Sequence, residues 1–319
     1  MRNKLIIVVG EPESVNLEII SKVWKKLNQN LKKKIVFIGN IDLIKSGLKK
    51  LKIKLPIEQI DKIENYKISS NFKVLNVPIN SNKIVNISNT YKNKYVIDSL
   101  NLAHKLAKNK KIKGFINCPI DKKIFKNKNI GVTEYLARKD KNLNNEIMFI
   151  HNKKLSVVPL TTHMELKNVS KNITKKKIIN KILLLNKYYL HLFKKKPNIG
   201  LVGLNPHNDE LRTNSKEQKI IFPAVRYLNK KKIKIKGPFP ADTIFFKNML
   251  SNFDIIIGMY HDQVLGPFKA LHGFNAINIT LGLSYMRLSP DHGIAKDLIG
   301  KNKANPDSLL QAIKFLNKH

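Results

Sequence analysis

Three histidines of this chain stand in one recurring setting, just after a short apolar run that is typical of a buried strand. The pairs of run and histidine are residues 155–160 with His163, residues 199–204 with His207, and residues 255–257 with His261. Open parallel sheets bind ligands at the carboxyl ends of their strands. Three imidazoles with one open position suit a catalytic divalent ion such as Zn²⁺. The recurrence therefore favours a metal site over three unrelated histidines, each hydrogen-bonded locally.

Two aspartates could also contribute to such a site. Asp262 follows His261 directly, and Asp242 follows the turn-forming string GPFPA. Each carboxylate could orient a histidine or bind the ion itself. The position of Asp242 after two prolines also predicts a helix cap.

Three further polar side chains lie on or after the last two predicted strands, at Lys269, Asn278 and Arg287. Basic and amide groups in that position could clamp a phosphate or a carboxylate. Each of them alone is better explained as surface charge or a local ion pair. Taken together with the histidines, they favour an anionic substrate.

The elements that position these residues alternate between strands and helices. Apolar runs at residues 5–9 and 35–38 precede helical periodicities at 17–27 and 43–51, and a longer amphipathic helix is predicted over 173–193. This alternation predicts an α/β fold with a parallel, doubly wound sheet. No GxGxxG fingerprint, P-loop or HExxH string is present, so a Rossmann nucleotide site is unsupported.

Residues 61–93 interrupt this alternation. They are rich in Asn and Lys and contain two short apolar runs, at 72–77 and 84–87. We interpret the segment as a hairpin or an irregular excursion from the sheet.

The charge balance is extreme, because 60 Lys and Arg residues against 22 Asp and Glu give a formal net charge of +38. Such a charge commonly indicates nucleic acid or an anionic membrane as a partner. Only five of the basic residues are arginines, and the lysines lie in short runs along the whole chain. Nucleic-acid readers favour arginine for base contacts and aromatic side chains for stacking. We therefore expect no specific nucleic acid partner, and a positive field that helps an anionic substrate arrive.

Length and cysteine usage indicate a folded protein of a reducing compartment. The 319 residues, 42% of them hydrophobic, are enough for two domains or one large one. Cys118 is the single cysteine, so no internal disulfide can form. The start, MRNKLIIVVGEPE, has too short an apolar run for a signal peptide, and no run approaches the ~20 residues that span a bilayer. We expect a cytoplasmic protein with no membrane partner.

Seven strings, in matching order across nearly the whole chain, resemble the 4-hydroxythreonine-4-phosphate dehydrogenase family of pyridoxal phosphate biosynthesis. They are GEP near the start, TTHMEL, GLNPH, GPFPADTIF, MYHDQ, INITLGL and the pattern R-x-S-x-D-H-G-x-A. The tail DHGIAKDLIGKNKANPDSLLQAI is also similar to the nucleotide-binding end of isocitrate and isopropylmalate dehydrogenases.

The resemblance implies the domain organisation of those dehydrogenases, two α/β/α domains with a central cleft. The first domain would comprise residues 1–125 plus about 285–319 and carry the nucleotide-binding tail. The second, about 126–284, would carry the metal and substrate ligands. The family further implies a homodimer whose active site lies in the interdomain cleft at the dimer interface.

The resemblance also implies roles for individual residues. The implied metal ligands, one of them contributed by the neighbouring subunit, are His163, His207 and His261. The implied substrate-binding positions are Thr133, Lys269, Asn278 and Arg287. The residues implied to face NAD or NADP are Asp291, His292 and Gly293. With one divalent ion per site (Zn, Mg or Co), the implied reaction oxidises and decarboxylates 4-phosphohydroxy-L-threonine to 3-amino-2-oxopropyl phosphate.

Four places depart from the family pattern. Val132 stands where the family usually has His, residues 13–16 replace glycines after GEP, residues 208–212 replace an Ala-Gly-Glu loop, and Ile294 replaces Thr. These changes fall at the substrate pocket and at turns where glycine lets the backbone approach closely. They leave two alternatives open. One is a related dehydrogenase for another phosphorylated four-carbon hydroxy acid, and the other is a basic nucleic-acid-binding protein on a retired enzyme scaffold, with salt-sensitive binding and no metal.

Overall fold

The structure, a computed structural model, describes residues 3–64, 68–79, 88–121, 123–125 and 131–319. The chain divides into two compact units, which are described separately below. Unit 1 comprises Met1–Asn129 and Ser284–His319, and unit 2 comprises Ile130–Leu283. Each unit contains a β-sheet with helices, so the predicted α/β class is confirmed.

The strands of the described residues are, in chain order, β1 (Leu5–Val8), β2 (Ile35–Gly39), β3 (Ile57–Ile60), β4 (Phe72–Asn76), β5 (Gly114–Asn117), β6 (Ile147–His151), β7 (Ser156–Pro159), β8 (Ile199–Val202), β9 (Ile235–Phe239), β10 (Ile255–Gly258), β11 (Ile277–Leu281) and β12 (Met286–Pro290). The α-helices are α1 (Asn16–Lys26), α2 (Gln29–Lys34), α3 (Ile41–Lys50), α4 (Asn89–Lys108), α5 (Val132–Lys139), α6 (Leu166–Asn172), α7 (Lys175–Phe193), α8 (Phe222–Lys230), α9 (Lys247–Leu250), α10 (His261–His272) and α11 (Asp307–Lys318). Across the same described ranges, every helix is too short or too polar to cross a bilayer.

The sheet of unit 1 has the strand order β3-β4-β2-β1-β5-β12, and its paired strands are all parallel. Ile7 in β1 lies opposite Phe37 in β2 and Ile116 in β5. Strands β1 and β2 are buried along their whole length, which is why each reads as a continuous apolar run rather than as an alternating one. Helices α4 and α11 pack on the strands, and α1 packs against α3 and α11.

A cluster of three aromatic side chains packs α1 against the sheet of unit 1. Trp24 of α1 meets Phe37 and Phe72 edge-on, with ring centroids 5.5 and 5.2 Å away. Phe37 and Phe72 stack with their centroids 3.8 Å apart. Edge-on and stacked pairs of this kind contribute ~0.5–1.5 kcal/mol each beyond the area they bury. Trp24 is only 3% exposed, and the ammonium of Lys32 lies 5.5 Å from the centre of its ring.

The sheet of unit 2 has the strand order β11-β6-β7-β10-β8-β9. Strand β6 runs antiparallel to β11 and to β7, whereas β7, β10, β8 and β9 are parallel. Ile257 in β10 lies opposite Val158 in β7 and Leu201 in β8. This register brings the carboxyl ends of β7, β10 and β8 side by side, with β10 in the middle.

The local predictions were confirmed where the apolar pattern was regular. The helix predicted over 173–193 is α7. Thr174 is its N-cap, and the side chain of Thr174 accepts a hydrogen bond from the backbone N–H of Lys177. The hairpin or irregular excursion predicted over 61–93 was wrong for its first apolar run, which forms β4, a regular strand paired in parallel with β2 and β3. The second apolar run, at 84–87, lies outside the described residues.

Asp242 does not cap a helix, contrary to the prediction. Residues 241–245 form turns, and the next helix, α9, begins at Lys247 with Phe246 in the cap position. The turn closes with the backbone bonds Ile244 N–H to Pro240 O (3.3 Å) and Phe246 N–H to Thr243 O (3.0 Å), and it does not continue into a helix. The carboxylate of Asp242 is therefore available to other partners.

Candidate active site

The loops after β7, β10 and β8 carry the three predicted metal ligands. His163 lies shortly after the end of β7, His261 is the first residue of α10, and His207 lies in the 3-10 segment Pro206–Leu211. Because β10 pairs in parallel with both β7 and β8, all three loops leave the same edge of the unit 2 sheet. That edge is where parallel sheets bind their ligands.

Two of the histidines face each other. The ring centroids of His163 and His261 lie 5.9 Å apart, a separation that two imidazoles sharing one ion can have. Nδ1 of His163 is 3.5 Å from Oε1 of Glu134, and Nδ1 of His261 is 2.7 Å from Oδ1 of Asp262. A carboxylate that holds Nδ1–H fixes the tautomer and leaves the Nε2 lone pair for a metal. The chemistry of this donor set therefore fits a divalent ion.

Glu134 stays ionised beside His163. Burial alone would raise the pKa of Glu134, but hydrogen bonds from His163 and from backbone N–H groups outweigh it and lower the pKa to about 2. One of those donors is the backbone N–H of Gly131, 3.0 Å from Oε2. Glu134 was not among the predicted site residues. The signal that could have found it is the capping-box position, three residues after a helix-starting glycine.

His207 has a different neighbour. Its Nε2 lies 3.6 Å from Oδ2 of Asp242, and both side chains are largely exposed. Among the residues that the structure describes, no three His, Cys, Asp or Glu side chains form a group that could hold a metal ion. One chain thus brings His163 and His261 together and leaves His207 paired with Asp242.

The loop that carries His207 has a strained backbone. His207, Asn208, Asp209 and Glu210 all have positive φ, between 46° and 58°. The left-handed region costs a residue with a Cβ roughly 1–2 kcal/mol. Asn208 at least gains a buried bond there, since its Nδ2 donates to the carbonyl of Pro238 at 3.0 Å. Among the described residues, the side chain of Glu210 has one polar partner, Arg212, in an exposed ion pair at 3.7 Å.

Glu210→Gly is therefore expected to raise the free energy of unfolding by about 1 kcal/mol, since glycine adopts this φ without strain. Chemical denaturation followed by far-UV circular dichroism measures the change. Glu165→Gly, an exposed acid in extended backbone before α6, is the control and is expected to give no gain. A loss of stability in Glu210→Gly would contradict the strain argument.

Three predicted substrate-binding residues belong to unit 2. Thr133 is the second residue of α5, directly before Glu134, and Lys269 is an exposed residue of α10. Asn278 lies in β11, and its buried Oδ1 accepts no hydrogen bond from any described residue. A buried acceptor of this kind is expensive unless a ligand or water satisfies it.

The fourth, Arg287, belongs to β12 in unit 1. It is only 2% exposed, and its Nε donates to Oδ1 of Asn117 at 2.7 Å. This bond fixes the orientation of the guanidinium, a group that suits carboxylates and phosphates. Asn117 was not singled out in the sequence, because only the fold brings β5 beside β12.

The predicted cofactor-facing residues follow β12. The backbone N–H of Asp291 donates to Oγ of Ser308 at 2.8 Å, and Nδ1 of His292 donates to the carbonyl of Gly293 at 2.9 Å. The next residue, Ile294, accepts a hydrogen bond from the backbone N–H of Val15 at 3.1 Å. Two of the loops that depart from the family pattern therefore touch each other, within unit 1.

A buried carboxylate holds the loop before His207. Glu217 is fully buried. Its Oε1 accepts from the backbone N–H groups of Leu204 and Asn205, both at 2.8 Å, and its Oε2 accepts from Nδ2 of Asn205 at 3.1 Å. The charge is thus satisfied by three donors. A glutamate in the polar string SKEQK gives no local sign of such a role.

Lys181 lines a cavity of about 760 Å³ in unit 2, together with Glu134, Glu146 and Lys177. Its Nζ donates to the carbonyl of Leu160 at 3.0 Å. Burial, and then the charge of Lys177, lower the pKa of Lys181 from 10.5 to about 8, although the two glutamates act in the opposite direction.

Deprotonation of Lys181 in the folded chain is expected to contribute a rise in stability with pH between about 8 and 10.5. In this range the unfolded chain keeps the proton on Lys181 while the folded chain has lost it, so unfolding takes up a proton and becomes less favourable as pH rises. Lys181→Met is expected to make this rise smaller. Urea denaturation at pH 8.0 and 10.5 measures it, with Lys176→Met, an exposed change on the same helix, as the control. An equal rise in Lys181→Met would contradict the assignment.

Comparisons with known proteins agree on one family. The family model described as "Pyridoxal phosphate biosynthetic protein PdxA" matches residues 30–316. A curated relative from Sulfurihydrogenibium sp. (strain YO3AOP1), named 4-hydroxythreonine-4-phosphate dehydrogenase, is 36% identical over 317 residues, which are 98% of this chain and 97% of the relative.

Solved structures agree on the fold. A crystal structure of 4-hydroxythreonine-4-phosphate dehydrogenase from Klebsiella pneumoniae matches with a TM-score of 0.84 and 24% identity, over 98% of both chains. Isocitrate dehydrogenase from Methylococcus capsulatus matches with a TM-score of 0.51 and 11% identity, over 100% of this chain and 86% of the other. At these identities the likeness concerns the fold alone, and the predicted isocitrate dehydrogenase-like fold is confirmed.

Proposed function

The chain belongs to the family of the pyridoxal phosphate biosynthetic protein PdxA, and on this basis we propose that it is an oxidoreductase that oxidises and decarboxylates 4-phosphohydroxy-L-threonine. The product would be 3-amino-2-oxopropyl phosphate, for pyridoxal 5′-phosphate synthesis. Beyond the family, the observation that carries the proposal is the facing pair His163 and His261, each with a carboxylate at Nδ1. Two imidazoles oriented in this way suit a metal-dependent enzyme, whereas nucleic-acid binding depends on basic groups that contact phosphates.

The residues of unit 2 would provide the metal site. Glu134 and Asp262 fix the rings of His163 and His261, and His207 would complete the ligand set, with one of the three histidines coming from a second subunit. A divalent ion (Zn²⁺, Mg²⁺ or Co²⁺), when bound there, supplies Lewis acidity toward the substrate hydroxyl. The carboxylates keep both imidazoles in the tautomer that binds an ion at Nε2.

Other side chains would bind and orient the substrate. The ammonium of Lys269 and the guanidinium of Arg287 suit the anionic groups of the substrate, its carboxylate and its phosphate. The buried Oδ1 of Asn278 suits a hydrogen-bond donor, such as the substrate's ammonium group. NAD or NADP, when bound near Asp291, His292 and Gly293, supplies the hydride acceptor. Oxidation of the 3-hydroxyl leaves a β-keto acid, which loses CO₂ readily.

The direct test is reduction of NAD⁺ and NADP⁺ by the purified protein, supplied with Zn²⁺, Mg²⁺ or Co²⁺ in turn. The substrates are 4-phosphohydroxy-L-threonine and the matching hydroxy acid without the amino group. Turnover of the first, with release of CO₂, is expected. Turnover of the second alone would overturn the proposed substrate. It would favour the related hydroxy-acid dehydrogenase, which the absence of an imidazole at Val132 motivates.

We also propose that the protein is a homodimer. Helix α7 exposes Leu183 and Leu190. Met164, in the loop after β7, and Leu166, at the start of α6, are also exposed and lie close to His163 in sequence. Large exposed apolar side chains that recur along one element indicate an interaction surface. Light scattering is expected to give twice the chain mass, and a monomer at micromolar concentration would contradict the proposal.

A further inference from the structure

A path of hydrogen bonds links the three histidine-bearing loops beneath the candidate site. At one end, Oγ1 of Thr161 donates to the carbonyl of Met259 at 2.7 Å, and the backbone N–H of Thr161 reaches the same oxygen at 3.2 Å. Thr161 precedes His163 by two residues and Met259 precedes His261 by two. The loop after β7 is thus tied to the loop after β10.

Gln263 continues this path to the loop after β8. Its Oε1 accepts from the backbone N–H of Met259 at 2.7 Å, and its Nε2 donates to the carbonyl of Gly203 at 2.7 Å. The residue is 8% exposed. One amide side chain therefore joins the segment that leads to His261 with the segment that leads to His207, across 60 positions of sequence.

The surroundings of Gln263 fit this side chain closely. A Cβ at Gly258 would lie 3.0 Å from Oε1 of Gln263 and 2.5 Å from Cγ1 of Val264, so only glycine leaves room for both. A Cβ at Gly203 would lie 2.0 Å from Oδ1 of Asn208. The side chains of Gln263 and of Asn208, the residue after His207, thus both lie close to the backbone of Gly203.

The chemistry of the amide explains why this position carries glutamine. The bond from Met259 needs an acceptor and the bond to Gly203 needs a donor, and a neutral amide offers one of each in a fixed geometry. A carboxylate lacks the donor, a hydrocarbon lacks both, and a thioether lacks the donor and is only a weak acceptor. In a buried setting, either change leaves a backbone group without its partner.

We propose that Gln263 is a positioning residue for the metal site, which sets the spacing between the loops of His261 and His207. The inference rests on the proposed metal-dependent function, and it concerns how the ligands are held rather than which residues they are. Gln263 has no part in the chemical step. Residues that orient metal ligands typically affect metal affinity by about 10–100-fold when they are changed.

The test is Co²⁺ binding to the full chain, measured by titration calorimetry and by the visible absorption of bound Co²⁺. Gln263→Met, which removes both bonds and keeps the length of the side chain, is expected to weaken Co²⁺ binding by about 10–100-fold and to change the absorption bands. Gln263→Glu supplies a second variant. Its carboxylate keeps an acceptor for the backbone N–H of Met259 but loses the donor to the carbonyl of Gly203, so its Co²⁺ binding is also expected to be weaker than that of the wild type.

The control is Gln59→Met, the same change at an exposed position of β3 in unit 1, which is expected to bind Co²⁺ as the wild type does. Wild-type affinity and spectrum in Gln263→Met would overturn the inference. If the wild type itself takes up no Co²⁺, the proposed metal-dependent function fails. The positioning role is then judged by amide hydrogen exchange. Faster exchange at residues 204–208 in Gln263→Met supports it, and unchanged exchange overturns it.

Discussion

His261→Ala is expected to lower kcat/KM for 4-phosphohydroxy-L-threonine by about 10³-fold or more, because a metal ligand at the reacting hydroxyl is worth several kcal/mol in the transition state. His261 follows β10, which lies between β7 and β8 in the sheet. Its ring centroid is 5.9 Å from that of His163. Its loss leaves Asp262 without the ring that it orients. Tight binding of a divalent ion is expected to disappear with the activity.

The fold is expected to survive this change. His261 is the first residue of α10 and about one third of its side chain is exposed, so alanine leaves no sealed cavity. His191→Ala, an exposed histidine of α7, is the matched control and is expected to retain full activity. Steady-state kinetics and metal analysis of the two variants decide the matter. A His261→Ala enzyme within tenfold of wild type would remove this histidine from the catalytic machinery.

Glu217→Ala is expected to destabilise unit 2 by about 3 kcal/mol, because it leaves the donors of Leu204 and Asn205 without an acceptor inside the protein. Glu217→Gln keeps one oxygen for the two backbone N–H groups and is expected to lose about 1 kcal/mol. Urea denaturation followed by far-UV circular dichroism measures both.

Glu165→Ala, an exposed acid with one surface ion pair to Lys167, provides the control for the loss of a negative charge. It is expected to change the stability by less than 0.5 kcal/mol. Equal stabilities of Glu217→Ala and Glu165→Ala would show that the loop before His207 does not depend on the buried carboxylate.

The strands and most helices could be predicted because their signals are local. Strands β1, β2 and β10 read as apolar runs since both of their faces are buried, and α7 reads as a helix since its buried positions recur with helical period. The same local reasoning brought the three histidines to strand ends. Whether all three bind one ion stays a prediction.

The supporting residues could not be predicted because their partners are distant in sequence. Gln263 acts by binding the carbonyl of Gly203, which lies 60 positions earlier in the chain. Glu134 acts by contacting His163, and strands β6 and β7 separate these two residues in sequence. Asp242 shows the converse error. Two prolines and an aspartate suggested a helix cap. The residues form hydrogen-bonded turns that do not continue into a helix, and the next helix begins only at Lys247.

Trp24 gives the protein an optical reporter that is confined to one unit. It is the only tryptophan of the chain, and it is buried edge-on against Phe37 and Phe72 in unit 1. Fluorescence excited at the red edge of the protein absorption therefore comes from unit 1 alone, whereas circular dichroism averages over both units. In Glu217→Ala, an unchanged unfolding midpoint by fluorescence together with a lower unfolding midpoint by circular dichroism would show that the two units unfold separately. A joint shift would reveal a single cooperative molecule.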